Sequence, residues 1–252
     1  AVTNVFITAD GVKKSISAPG IGNYLSFSQA VAAAIAVVGE DTVKHKSFVQ
    51  AHGSSTPANR VTESDLIQRV AEVFDIHDWP VSAAKAYVGH SLSAASGDQL
   101  VSALGTFKYD IVPGIKTIQN IAPDVAQERA IFPIDDMDVS GRQMDVAFIN
   151  AKGFGGNNAT ATVLSPQVVN KMLQRRHSKV FDAYLSRRDH VTSAATEYAK
   201  RADAGQLGVI YRYGEPLLDE EDISIDRNGI TISGFHQPVS FESENPWTDM
   251  TD

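Results

Sequence analysis

The chain has 252 residues, enough for one large domain or for a domain with an appendage. Hydrophobic residues make up 43% and charged residues 21%, an ordinary globular balance. The formal net charge of −8 argues against non-specific nucleic-acid binding, which needs basic surface over phosphates. The absence of cysteine excludes disulfides, zinc–thiolate sites and a cysteine nucleophile from these residues.

Val2 to Thr8 alternates and is rich in β-branched residues, which predicts a strand. Asp10-Gly11 signals a turn, and Ser17 to Asn23 reads as an irregular loop. Ser26 to Val38 is Ala-rich and apolar all round, the pattern of a buried helix stopped at Gly39. Its unbroken apolar run, Ala30 to Val38, has nine residues, short of the ~20 of a membrane helix. No membrane span is expected; no secretory signal is in view, and the acidic balance fits a cytoplasmic protein.

A strand over Ser47 to Gln50 leads into Ala51-His52-Gly53-Ser54-Ser55-Thr56-Pro57, and apolar spacing predicts a helix over Thr62 to Phe74. A second short strand, Val81 to Ala84, ends at Lys85 and leads to Tyr87-Val88-Gly89-His90. A small-residue helix follows over Ser93 to Tyr109, then a strand or turn at Ile111 to Ile115 and a mostly irregular stretch from Ile118 to Asp138. Met144 to Asn150 and Ala159 to Leu164 read as strands joined by Gly153-Phe154-Gly155-Gly156 in a hairpin. Residues 1–164 thus predict an α/β layered domain with helices flanking a mixed sheet.

Ser165-Pro166 is an N-cap and N1 pair that opens a second region, 165–252. It predicts a basic helical stretch from Gln167 to about Ala204, broken near Asp189-His190. Strands at Gly208 to Tyr213 and Gly229 to Gly234 flank the acidic Asp219-Glu220-Glu221-Asp222, and Glu242 to Asp252 is a polar tail.

The chemistry concentrates in the turns. A histidine where a strand meets a small-residue turn has a tunable pKa and hydroxyls beside it to orient a ligand. Either histidine alone reads as a partner for backbone groups; two, each after a strand, read as functional. They lie 38 residues apart with no cysteine or close carboxylate, so no metal is expected. His45, His77, His177, His190 and His236 stand in polar contexts and read as surface. Lys85 is placed to tune a neighbour, and Glu63 to anchor that lysine by a charge-assisted hydrogen bond. Gly153 to Gly156 has no P-loop ending; it is either a plain glycine hairpin or a frame in which Phe154 moves as a gate.

Together, Ala51 to Asn59, Lys85 to Ala95 and Gly153 to Ala159 resemble the β-ketoacyl-acyl-carrier-protein synthases, in the C-terminal half of their thiolase-like fold. The resemblance covers roughly residues 1–164. It implies decarboxylative Claisen condensation in fatty acid biosynthesis, by a Cys-His-His set whose two histidines match His52 and His90. It makes Lys85 the family's electrostatic lysine and Glu63 the glutamate bonded to it. Ser54 and Thr56 match hydroxyls on the pantetheine arm, and Phe154 a gate freed by Gly153, Gly155 and Gly156. No cofactor is implied beyond the phosphopantetheine that carries the substrates.

The implied partners are acyl carrier protein and the family's own N-terminal half, which bears the cysteine; the family forms homodimers. The chain is therefore expected to be a truncated or proteolysed piece of a longer synthase, unable to condense alone. Residues 165–252 run past the usual end of elongation synthases, and their basic helix either docks an acidic carrier protein or is a solvated face. A polyketide-type ketosynthase and a non-catalytic partner resembling a chain-length factor are the alternatives.

Three departures stand out. Ala151-Lys152 replaces Ser-Phe before the glycine motif, Ser93-Ala94-Ala95-Ser96 replaces Gly-Ala-Ala-Gly, and Gln99 stands at a frequently acidic position, against a bound monovalent cation.

Overall fold

The computed structural model describes residues 1–12, 20–208 and 218–246. They form two compact units, Ala1–Asp182 and Ala183–Asp252.

In the first unit β1 (Val2–Ala9) is followed by α1 (Ile21–Val38), the short α2 (Glu40–His45) and β2 (Ser47–Gln50). Next come α3 (Pro57–Val73), β3 (Trp79–Ser82), the single turn α4 (Lys85–Val88) and α5 (Ala95–Tyr109). The two-residue strand β4 (Ile111–Val112) falls where a strand or turn is expected, and β5 (Ala130–Ile131) and β6 (Met137–Asp138) punctuate the stretch read as irregular. The hairpin strands β7 (Val146–Gly153) and β8 (Asn157–Leu164) and the helix α6 (Pro166–Arg176) follow.

Six strands make one mixed sheet in the order β1-β8-β7-β2-β3-β5. The β7–β2, β2–β3 and β3–β5 pairs are parallel, whereas β8 runs antiparallel to both β7 and β1. β2 and β3 are buried at every residue, as expected of parallel strands covered on both faces. On one face α1 and α3 close a core containing Phe27, Leu66, Ile67, Trp79 and Phe148. Phe27 stacks on Trp79 with ring centroids 5.6 Å apart, and Phe148 meets both rings edge-on, each pair adding ~0.5–1.5 kcal/mol beyond area burial. On the other face α5 brings Ala103 and Phe107 onto Phe48, Ala147 and Ile149. Among the described residues α1 is the one helix long and apolar enough to cross a membrane by length and composition; here Phe27, Ala30, Val31 and Ala34 face the sheet with no exposure. Val168 and Val169 of α6 pack against the α1–α3 core.

α1 begins at Ile21, five residues before the expected start at Ser26. Gly22 allows this: a Cβ there would stand 2.8 Å from the Ala9 carbonyl carbon, so the helix passes β1 at a distance only glycine permits. α3 also begins early, at Pro57, with Thr56 before it. Lys85 opens a helical turn rather than closing a strand.

In the second unit the expected break at Asp189-His190 is absent. α7 runs unbroken from Phe181 to Asp203, and the helical stretch is interrupted instead near the end of the first unit, at His177, where φ is −122° and a 3-10 turn (Ser178–Val180) intervenes. Neither Asp189 nor His190 is a helix breaker of the Gly or Pro kind. The acidic Asp219 to Asp222 forms a turn closed by a reciprocal capping box between Asp219 and Asp222. A three-stranded antiparallel meander follows: β9 (Ile223–Ile225), β10 (Gly229–Ile232) and β11 (Val239–Ser240). The strand expected at Gly208 to Tyr213 lies, from residue 209 on, outside the described residues, as does the tail from 247.

Candidate active site

The parallel strands β2 and β3 end side by side, and both singled-out histidines sit just past those ends. Ala51 continues the ladder by donating its N–H to the Ser82 carbonyl at 2.9 Å. His52 follows at 8% exposure. Gly53 then turns the chain away with φ of +59°, where a Cβ would lie 3.2 Å from that of Ala83. Beyond β3, α4 and Gly89 at φ of +73° carry His90 back over the strand ends. The two imidazoles meet edge-to-face, ring centroids 5.3 Å apart at 80°.

Each ring is held by a backbone N–H on Nδ1. Lys152 N donates to His52 Nδ1 at 3.2 Å, and Leu92 N donates to His90 Nδ1 at 3.1 Å. A neutral imidazole that accepts at Nδ1 carries its proton on Nε2, so both rings present an Nε2–H. Leu92 makes its contact with a φ of +56°, a conformation that costs a non-glycine residue ~1–2 kcal/mol. Burial pushes the His52 pKa down from 6.5 to about 4; the Glu63 carboxylate opposes this, and Lys85, His90 and Lys152 add to it. His52 is uncharged at neutral pH.

Glu63 does not bind Lys85 as the sequence suggests. At 4% exposure, its carboxylate accepts from the backbone N–H groups of His52 (2.7 Å) and Gly53 (3.0 Å) and from the side-chain amides of Asn59 (3.0 Å) and Asn150 (2.8 Å). Four donors saturate its oxygens and clamp the turn that bears His52. Lys85 donates instead to the His52 carbonyl at 2.5 Å. Burial lowers its pKa, against the fields of Glu63 and Asp98. The glutamate thus acts on the lysine through charge rather than contact.

Ser54, Ser55 and Thr56 rim a cavity of about 630 Å³ that also reaches Lys85 and His90. Phe154 is 77% exposed at the tip of the β7–β8 hairpin and is not part of that lining. The positive φ values of its frame belong to Gly155 (+81°) and Gly156 (+79°); Gly153 is extended, at −121°. Lys152, in place of an aromatic residue, points its ammonium at Thr62 Oγ1, 3.2 Å away.

Gln99 has a larger part than its sequence context suggests. Fully buried, its amide nitrogen lies 3.0, 2.6 and 2.9 Å from the carbonyl oxygens of Gln50, Ala51 and Asn150. It ties the end of β2 to the middle of β7, directly beneath His52. Its Oε1 is buried without a partner among the described residues. The apolar spacing of α5 marks position 99 as inward; what it meets there depends on the sheet register.

The β-ketoacyl synthase C-terminal domain family matches residues 1–119. The chain is 55% identical, along its full length, to β-ketoacyl-[acyl-carrier-protein] synthase FabY of Pseudomonas aeruginosa, and spans 40% of that protein. The 3-oxoacyl-[acyl-carrier-protein] synthase 2 of Synechocystis is 33% identical over 120 residues, 45% of this chain and 26% of the relative. The crystal structure of the noncanonical ketosynthase FabY from P. aeruginosa superposes with a TM-score of 0.86, covering 100% of this chain and 39% of that one. A bacillaene ketosynthase from Bacillus amyloliquefaciens, 18% identical, shares the fold with a TM-score of 0.56 over 65% of this chain and 30% of its own. With that fold, that identity and the paired histidines at the strand ends, residues 1–119 carry the β-ketoacyl synthase C-terminal domain, and the chain corresponds to the C-terminal, thiolase-like part of the synthases it resembles.

Proposed function

We propose that the chain supplies the two-histidine part of a β-ketoacyl-[acyl-carrier-protein] synthase site for decarboxylative Claisen condensation in fatty acid biosynthesis. The observation that carries this reading is the pair of backbone N–H groups on the two Nδ1 atoms. They leave two neutral Nε2–H donors side by side, the arrangement that stabilises a developing oxyanion. In the reaction the C–CO₂⁻ bond of a malonyl thioester breaks and CO₂ leaves. The electron pair forms an enolate, whose oxygen accepts from His52 and His90 Nε2–H. The enolate carbon then attacks an acyl thioester and expels its thiolate, giving the β-ketoacyl product.

Lys85, on the His52 carbonyl, holds the turn and adds positive potential beside the enolate. Ser54 and Thr56 at the cavity mouth would bind the pantetheine arm, and Phe154 would gate the acyl side. No cofactor is required beyond the phosphopantetheine of acyl carrier protein.

The acyl-bearing thiolate must come from outside these 252 residues, which contain no cysteine. The relatives extend well beyond the stretch this chain spans, and a homodimeric cytoplasmic synthase carrying that cysteine is the assembly we infer. A partner subunit of the chain-length-factor kind has no need of two tautomer-locked histidines above a saturated glutamate. The test is release of CO₂ from malonyl carrier protein by the whole synthase. His52→Ala and His90→Ala should each lower it by ~10²–10³, the cost of one oxyanion donor; near-normal turnover in either would refute the reading.

A further inference from the structure

β7 sends two side chains to the first turns of α3. Successive residues of a strand alternate between its faces, so Asn150 and Lys152 share one. Asn150 Nδ2 reaches Glu63 Oε1 at 2.8 Å, and Lys152 Nζ reaches Thr62 Oγ1 at 3.2 Å. The Thr62 hydroxyl donates within the helix to the Ala58 carbonyl at 2.9 Å, which leaves its oxygen to accept from the ammonium. Two rungs on consecutive residues of α3 thus hold the end of β7 just before its hairpin.

The backbone of the same lysine meets His52, donating to Nδ1 at 3.2 Å. A proton on that nitrogen would set two N–H donors against each other, so an imidazolium forms only by breaking this bond. Burial comes first in keeping the ring uncharged, and the neighbouring charges follow. Glu63 of α3 favours the imidazolium, whereas Lys85 of α4, His90 and Lys152 of β7 oppose it; Asp98 of α5 bears on Lys85. The carboxylate that clamps the turn would therefore draw a proton onto the ring beside it, and the two lysines offset that pull.

We propose that Lys152 is a positioning residue for His52: its N–H occupies Nδ1 while its ammonium, moored on Thr62, offsets the Glu63 carboxylate, so that the ring keeps one orientation and presents Nε2–H into the acid range. This rests on the two-histidine reading above and names the residue that holds one of the two donors in place.

The experiment is a pH titration of this chain, labelled with ¹⁵N-histidine, followed by long-range ¹H–¹⁵N correlation of the imidazoles. His52 is identified by the signal lost in His52→Gln, and circular dichroism at each pH checks that the chain is folded. Lys152→Met keeps the reach of the side chain and the backbone N–H but removes the charge. The His52 midpoint, about 4 in the unsubstituted chain, should rise by about 0.5–1 pH unit, the scale of one charge removed beside a partly buried group. Lys152→Arg keeps the charge and should titrate as the unsubstituted chain does; Thr62→Val releases the mooring and should fall between. In the whole synthase the acid limb of malonyl decarboxylation should move up with the midpoint in Lys152→Met. A midpoint that Lys152→Met leaves in place, or that Lys152→Arg moves as far, overturns the proposal, as does an acid limb that stays put while the midpoint moves. If the midpoint shifts as expected while His52→Ala decarboxylates normally, the role of the histidine fails and the hold of Lys152 on its ring stands. If His52→Ala is inactive and Lys152→Met titrates unchanged, the reverse holds.

Discussion

Lys152 N donates to His52 Nδ1 across 100 residues of sequence, a hydrogen bond of 3.2 Å. It joins the end of β7 to the turn after β2 and fixes which nitrogen of the buried ring carries the proton. Neutrality and tautomer are set by different means: burial keeps the ring uncharged, and the backbone chooses the nitrogen.

That neutrality has a thermodynamic consequence. His52 titrates at about 4 in the folded chain against 6.5 as its ordinary value, so between those values the unfolded state binds the extra proton. Stability is then greatest above pH 6.5 and falls as pH drops toward 4, with a slope of at most ~1.4 kcal/mol per pH unit from this one group. Urea unfolding at pH 7, 6 and 5 should show the decline, and His52→Gln should make it shallower. An unchanged slope in the variant would place the acid sensitivity elsewhere.

The Glu63 clamp predicts a larger effect from a smaller change. Glu63→Gln keeps size and shape but turns one acceptor oxygen into a donor, facing either the backbone of His52 or the amide of Asn59. Leaving a buried donor unsatisfied costs ~1–3 kcal/mol, and at least one is left in either orientation. The urea midpoint should fall accordingly, and the amide protons of His52 and Gly53 should exchange faster. An Ala in place of Lys85 should leave that exchange protection unchanged, because the lysine holds the carbonyl and not the N–H groups.

How far the sequence reveals this site depends on whether a feature is local. β2 is read with its observed bounds, Ser47–Gln50, because a short apolar run before a glycine turn is a local signal. The histidine positions are legible for the same reason. The start of α3 carried a readable sign in Thr56-Pro57, since proline is favoured at the first helical position. The start of α1 did not: Gly22 is required by β1, which the local sequence does not reveal. Glu63 and Lys85 announce two opposite charges near one turn, yet the strand geometry decides that the carboxylate meets N–H groups while the ammonium meets a carbonyl.

Phe154 offers a test in which folding and selectivity separate. With 77% of its surface exposed, its removal should shift stability by no more than ~0.5 kcal/mol, as for other surface substitutions. If it gates the acyl side of the whole synthase, Phe154→Ala should change acyl-chain selectivity while malonyl decarboxylation persists. Unchanged selectivity would reduce the glycine hairpin to a plain turn.

Gln99 gives the sharpest prediction about the scaffold beneath the histidines. Its amide nitrogen faces three backbone carbonyl oxygens within 3.0 Å, a cluster of negative partial charge that needs a donor or a cation at its centre. Gln99→Glu replaces that donor with an oxygen and introduces a buried negative charge, whose desolvation costs several kcal/mol when unpaired. The variant should therefore unfold at markedly lower urea in a large organic cation such as N-methylglucamine. Sodium or potassium, small enough to enter among the carbonyl oxygens and the new carboxylate, should recover much of the loss through binding to the folded state alone. The unsubstituted chain should show little of this ion-specific gain, because the Gln99 amide already occupies the place. Equal stability of the variant in all three salts would mean that the carbonyl cluster does not form a cation-sized seat, and that Gln99 is a packing residue only.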